Sequence, residues 1–201
     1  MKPVLLLDCQ TSAVAPYDHL AVAEGVEVVD VYELPSLDLD RYSAVMVTGM
    51  VDQEFLWRQR DVLEVFLARR RVIIFCGQLL RSWLPGCGMF VPVRIASMRD
   101  YAVRLAEPHH PVFAGVEAND LTFRRGVAGF FARGYHPPPP SAEVLATLVG
   151  GQPTTWIDRA TTPGTVFAHA GGDLLFYANA DSSAARLGPQ LLDWARLEGS
   201  R

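Results

Sequence analysis

Few side chains in this sequence could do chemistry, and they are scattered. Three cysteines, Cys9, Cys76 and Cys87, share no CxxC spacing, which argues against a zinc knuckle or a disulfide framework. A cysteine acts as a nucleophile only as thiolate, with an imidazole in reach and a carboxylate orienting that imidazole. Cys76 ends an apolar run; the plainer reading of such a cysteine is a buried, inert thiol. Of five histidines, His169 also ends an apolar run, where it either serves a neighbouring strand or simply lies on a sheet surface. His136 leads into a proline run, as a spacer or within reach of a cleft, and His19 falls on a surface helix. His109 and His110, adjacent before Pro111, point in different directions on extended backbone and suit a solvated turn better than a metal site. Asp8 ends the first apolar run, where a carboxylate caps backbone N–H groups or touches a ligand. Gln10, Thr11 and Ser12 follow it and fit a pocket lining or an ordinary turn.

Several chemistries are missing. The sequence holds no GxxxxGK[ST], no GxGxxG after the first apolar run, no HExxH and no GxSxG, so neither a cofactor nor a metal is expected. The chain has 201 residues, half of them apolar, 20% charged, with a formal charge of −4, which excludes a disordered chain. Seventeen of 18 basic residues are arginine, but without a positive balance or an aromatic platform nucleic-acid binding is not expected. Arg69-Arg70-Arg71 reads as a solvated helix end. The longest apolar runs are too short to cross a bilayer, and the start resembles no signal peptide, so a cytoplasmic protein with no membrane partner is expected.

The elements that must position these residues follow from apolar patterning. Val4–Asp8, Val26–Tyr32, Ser43–Gly49 and Arg71–Gly77 read as strands, the unbroken apolar runs suiting a sheet buried on both faces. Helices are expected over Pro16–Glu24 and Asp52–Arg70. Alternation of strand and helix implies crossovers and a parallel sheet, with its ligand-facing edge at Asp8-Cys9-Gln10, Thr48-Gly49-Met50 and Cys76-Gly77-Gln78. The second half differs. Arg94–Ala106 contains an alternating stretch, and Leu121–Arg133 fits helix or twisted strand equally. Pro137–Pro140 predicts a polyproline II spacer of roughly 12 Å. Four strand-like runs follow: Glu143–Leu148, Thr154–Ile157, Thr165–His169 and Asp173–Ala178, the last two joined by a hairpin at Ala170-Gly171-Gly172. A closing helix is expected over Ser183–Leu197. The expected whole is one domain over 1–201, a flavodoxin-like doubly wound α/β fold. Its sheet is mainly parallel with helices on both faces, and extra antiparallel strands lie in the C-terminal half.

Val4-Leu5-Leu6-Leu7-Asp8, Val45-Met46-Val47-Thr48-Gly49 and Val72-Ile73-Ile74-Phe75-Cys76-Gly77 resemble three strands of class I glutamine amidotransferase domains. They correspond to the opening strand, the strand before the oxyanion loop and the strand carrying the cysteine. Later stretches, His110–Val116, Glu143–Thr147 and Leu175–Ala178, look more like the non-glutaminase branch of ThuA-like proteins and β-galactosidase amidotransferase-like domains. The resemblance implies that Cys76 stands on a strand-to-helix elbow, where helix N–H groups and the dipole lower a thiol's pKa. Two departures stand out. The family's Gly-x-Cys-x-Gly is here Ile74-Phe75-Cys76-Gly77-Gln78. The run matching its His-x-Glu is Tyr177-Ala178-Asn179-Ala180-Asp181, and an asparagine takes no proton from a thiol.

Two functions are therefore expected in competition. One is an amidotransferase-like module without glutaminase activity that binds a small molecule or a protein, in a carbohydrate-related or multi-component pathway. Its ligand-facing residues would be Asp8, Gln10, Gly49, Gly77, Gln78, Asn179 and Asp181. The other is a cysteine hydrolase or amidase with Cys76 as nucleophile, His169 or His136 as base, and the Gly49 and Gly77 N–H groups holding an oxyanion. The sequence leaves open whether the chain also associates with itself.

Overall fold

The computed structural model describes residues 2–9, 25–123, 129, 131–178 and 180–201. The expected helix over Pro16–Glu24, with His19, lies outside the described residues, as do Gln10, Thr11, Ser12 and Asn179.

Apolar strands build the centre. β1 (Val4–Asp8), β2 (Val26–Asp30), β3 (Ala44–Thr48) and β4 (Val72–Cys76) lie side by side in parallel. Successive side chains point to opposite faces. Leu6, Met46 and Ile74 accordingly enter one core layer, and Leu7, Val47 and Phe75 the other. This is why the runs carry no polar alternation.

The rest of the sheet comes from the C-terminal half. β6 (Val103–Leu105), β8 (Glu143–Leu148), β9 (Pro153–Asp158) and β10 (Thr165–His169) extend it to eight strands in the order β2-β1-β3-β4-β10-β9-β8-β6. β10 pairs in parallel with β4, and the pairings beyond it are antiparallel. β5 (Val91–Pro92) and β7 (Gly134–Tyr135) form a separate two-stranded antiparallel sheet. Helices cover both faces. α1 (Gln53–Arg58) and α2 (Arg60–Ala68) place Leu56, Leu63, Phe66 and Leu67 in the Phe75 layer. α3 (Ala118–Thr122) and α4 (Leu187–Glu198) place Leu121, Leu191 and Trp194 in the Ile74 layer. The expected doubly wound α/β architecture is the one observed. Among the described residues no helix is long and apolar enough to cross a membrane.

Several boundaries differ for local reasons. The strand expected over Val26–Tyr32 stops at Asp30, whose carboxylate accepts the Tyr32 N–H and opens a 3₁₀ turn over Val31–Ser36. The helix expected over Asp52–Arg70 breaks at Gln59, and the Arg60 guanidinium takes up the Trp57 carbonyl at 2.7 Å while lying over the Trp57 ring. Within Arg94–Ala106 only Val103–Leu105 is strand, because a capping box between Ser97 and Asp100 holds Met98–Tyr101 as a 3₁₀ turn. In Leu121–Arg133, α3 ends at Thr122 and Ala132 makes one antiparallel bridge to Gly171; residues 124–128 and 130 lie outside the described residues.

One difference matters for function. Asp173–Ala178 is not a strand. The Asp173 carboxylate caps the Leu175 N–H at 2.8 Å, and Leu174–Tyr177 winds into a 3₁₀ turn that buries Leu174, Leu175 and Tyr177 and turns Phe176 outward. The last strand of the sheet is therefore β10, ending at His169.

Candidate functional site

The carboxyl ends of β3, β4 and β10 open into a cleft of about 540 Å³, the edge at which a parallel sheet presents ligand sites. Thr48-Gly49-Met50, Cys76-Gly77-Gln78 and Ala170-Gly171-Gly172-Asp173 frame it, together with Gly129 and Phe131-Ala132-Arg133. Gly49 and Gly77 are there for a steric reason. A Cβ on Gly77 would stand 2.4 Å from the Gly49 Cα, so the two strand exits pass backbone against backbone.

Thr48, Cys76 and His169 are register partners across three adjacent parallel strands. The residues two positions earlier, Met46, Ile74 and Phe167, share one core layer, so this row faces the same side of the sheet. An imidazole thus lies one strand away from the thiol. It is not bonded to it. His169 Nδ1 is 2.8 Å from the Thr155 hydroxyl on β9, the strand on the far side of β10 from Cys76. His169 Nε2 has no hydrogen-bond partner among the described residues and faces the space before Gly171, where a Cβ would lie 2.6 Å from it. Burial pushes the His169 pKa down to about 3, helped by repulsion from His136, against a weaker pull from the Phe131 and Thr154 backbone groups.

The thiol is equally unready. Cys76 is fully buried, and burial, then the Asp173 carboxylate, raise its pKa well above the usual thiol range against one opposing backbone N–H from Leu174. No helix follows it: the chain after Cys76 runs through turns to β5, and the next helical turn begins at Met98. The strand-to-helix elbow implied by resemblance is therefore absent, and with it the helix N-terminus that would stabilise a thiolate. The Gly77 N–H, expected as an oxyanion donor, instead donates to the His169 carbonyl at 2.9 Å.

Of the residues expected to face a ligand, Gly49, Gly77 and Gln78 line the cleft. Asp8 does not; its Oδ1 accepts the Cys9 N–H at 2.8 Å, the capping role a carboxylate takes at a strand end. Asp181 is exposed and outside the cleft lining, because the strand that would have delivered it is the 3₁₀ turn Leu174–Tyr177. With β10 as the final strand, the residues leaving it are His169-Ala170-Gly171, which puts glycine where the resemblance calls for the acid of His-x-Glu. His136 does not reach the cleft either. It is buried between Phe75 and Phe90, its Nε2 accepting the Leu79 N–H at 3.1 Å, with a pKa pushed down to about 4 by burial. His169 is buried rather than lying on an open sheet surface. Sequence reasoning missed Thr155 and Asp173. Thr155, second of two adjacent threonines, carried no signal of its own, and its partner becomes evident only once β9 and β10 are paired.

No family model and no curated protein matches the sequence. Solved structures do match in fold. A Thermoplasma acidophilum protein classed as a GMP synthase component superposes with a TM-score of 0.57 at 11% identity, covering 98% of each chain. The mmIFT52 N-terminal domain superposes equally well, TM-score 0.57 at 11% identity over 96% of this chain and 97% of that one. A Thermotoga maritima glutamine amidotransferase superposes more loosely, with a TM-score of 0.43 at 12% identity over 98% of this chain and 93% of the other. The chain shares the α/β fold of the first two of these structures. At these identities the likeness is one of architecture.

Proposed function

We propose that this protein is an amidotransferase-like module without glutaminase activity, which uses the cleft at the ends of β3, β4 and β10 to bind a ligand. The observation that carries this reading is the state of Cys76: fully buried, its pKa raised, followed by no helix, and beside an imidazole whose Nδ1 is held by Thr155. Burial, the raised pKa and the missing helix each remove one requirement of a thiolate nucleophile, and the group on Nδ1 is a hydroxyl where an orienting carboxylate is called for. Support for binding comes from the cleft itself, whose volume lies in the range of small-molecule sites.

A cysteine hydrolase is the second reading, favoured by two observations: the register pairing of Cys76 with His169, and a His169 Nε2 with no hydrogen-bond partner among the described residues. Incubation with L-glutamine followed by ammonia detection separates the two. The binding module releases no ammonia above that of a Cys76→Ser variant. Ammonia release abolished by that substitution would establish the hydrolase.

A further inference from the structure

The lining of the cleft says what kind of molecule it takes. At its floor, Thr48 is 1% exposed and its Oγ1 has no hydrogen-bond partner among the described residues. A buried hydroxyl without a partner is costly, and a ligand atom that pairs with it removes that cost. At the mouth stand three apolar side chains that a folded chain ordinarily hides: Met50 at 85% exposure, Leu80 at 61% and Phe176 at 38%. Among the described residues the titratable lining balances in charge, Arg133 against Asp173, and the Cys76 thiol is protonated.

We propose that the cleft binds an uncharged small molecule with an apolar, ring-sized body and a single hydroxyl or carbonyl. The polar atom would pair with Thr48 Oγ1, and the body would pack among Met50, Leu80 and Phe176. This deepens the reading of the cleft as a binding site and rests on it. The contrasting probe is a zwitterionic amino acid, whose charged groups would lose hydration against Met50, Leu80 and Phe176.

The test is a ligand-observed NMR titration of the whole chain with benzyl alcohol, toluene and L-glutamine. Benzyl alcohol should bind more tightly than toluene, and L-glutamine should show no saturable binding. Thr48→Val should weaken benzyl alcohol by roughly fivefold, the value of one hydrogen bond, and leave toluene unchanged. Thr48→Ser should restore benzyl alcohol binding, and Phe176→Ala should weaken both aromatic probes. Equal binding of benzyl alcohol and toluene to the wild-type chain, or binding of neither, overturns the inference even where Thr48→Val fails to fold. Those outcomes leave the ammonia measurement untouched, so failure of this inference is distinguishable from failure of the proposed function.

Discussion

His169 and Cys76 are direct neighbours in the sheet register, yet the imidazole is bonded at 2.8 Å to Thr155, one strand further on. The distance that separates a resting thiol from an armed one is thus bridged by pairing but not by a hydrogen bond. Iodoacetamide labelling of the folded protein near pH 7.5 should leave Cys76 the slowest of the three cysteines, modified at an appreciable rate only in denaturant. Cys9, which keeps some exposure, should label ahead of it. Preferential labelling of Cys76 in the native state, read by peptide mass spectrometry, would contradict the assignment.

The crossing of Gly49 and Gly77 predicts a sharp steric penalty. In Gly77→Ala the new methyl would sit 2.4 Å from the Gly49 Cα, against backbone that cannot swing aside. A loss of about 2–4 kcal/mol is expected in urea unfolding. Gly151→Ala is the comparison: among the described residues nothing lies within 4 Å there, and its φ of +86° is what opposes a side chain. It should cost about 1 kcal/mol. Equal losses at the two positions would mean that the close approach is not rigid.

Acid should weaken the fold earlier than carboxylates alone would allow. His136 and His169 titrate near 6.5 in the unfolded chain but near 4 and 3 when buried. Between those values the unfolded chain binds more protons than the folded one, so stability is complete above about pH 6.5 and falls as the pH drops. Each histidine contributes a slope of about 1.4 kcal/mol per pH unit until its folded value is reached. The lowered carboxyls of Asp52, Asp158 and Glu198 act in the same direction but below about pH 4.5. Urea midpoints measured from pH 7.5 to 5 isolate the histidine window; a flat profile there would show that neither imidazole is sequestered.

Glu198 ties α4 to the sheet. Its nearly buried carboxylate accepts from Thr165 Oγ1 on β10 at 3.2 Å and meets the Arg159 guanidinium that follows β9. Glu198→Gln removes the charge partner from Arg159, which also pairs with exposed Glu143 at 2.9 Å. The expected cost is about 1–3 kcal/mol in the same urea assay, since the hydrogen bond to Thr165 can persist. A substitution without effect would place the network among solvated ion pairs.

Residue types alone were enough to read the first half of the sheet. Unbroken apolar runs such as Val4–Leu7 and Val72–Cys76 have to be buried on both sides, and that requirement is local. Glu143–Leu148 and Thr165–His169 were legible for the same reason. That Gly49, Gly77 and Gln78 lie at the carboxyl edge of the sheet was legible because strand ends set that edge in any parallel sheet. Other features waited on contacts in three dimensions. Whether Asp173–Ala178 continues as strand depends on a carboxylate capping its own backbone, and apolar content alone does not distinguish that turn from a strand. The fate of Cys76 depends on what stands one strand away and on the absence of a following helix. The first of these is a matter of pairing between segments some ninety residues apart, where spacing along the chain carries no information about distance in space.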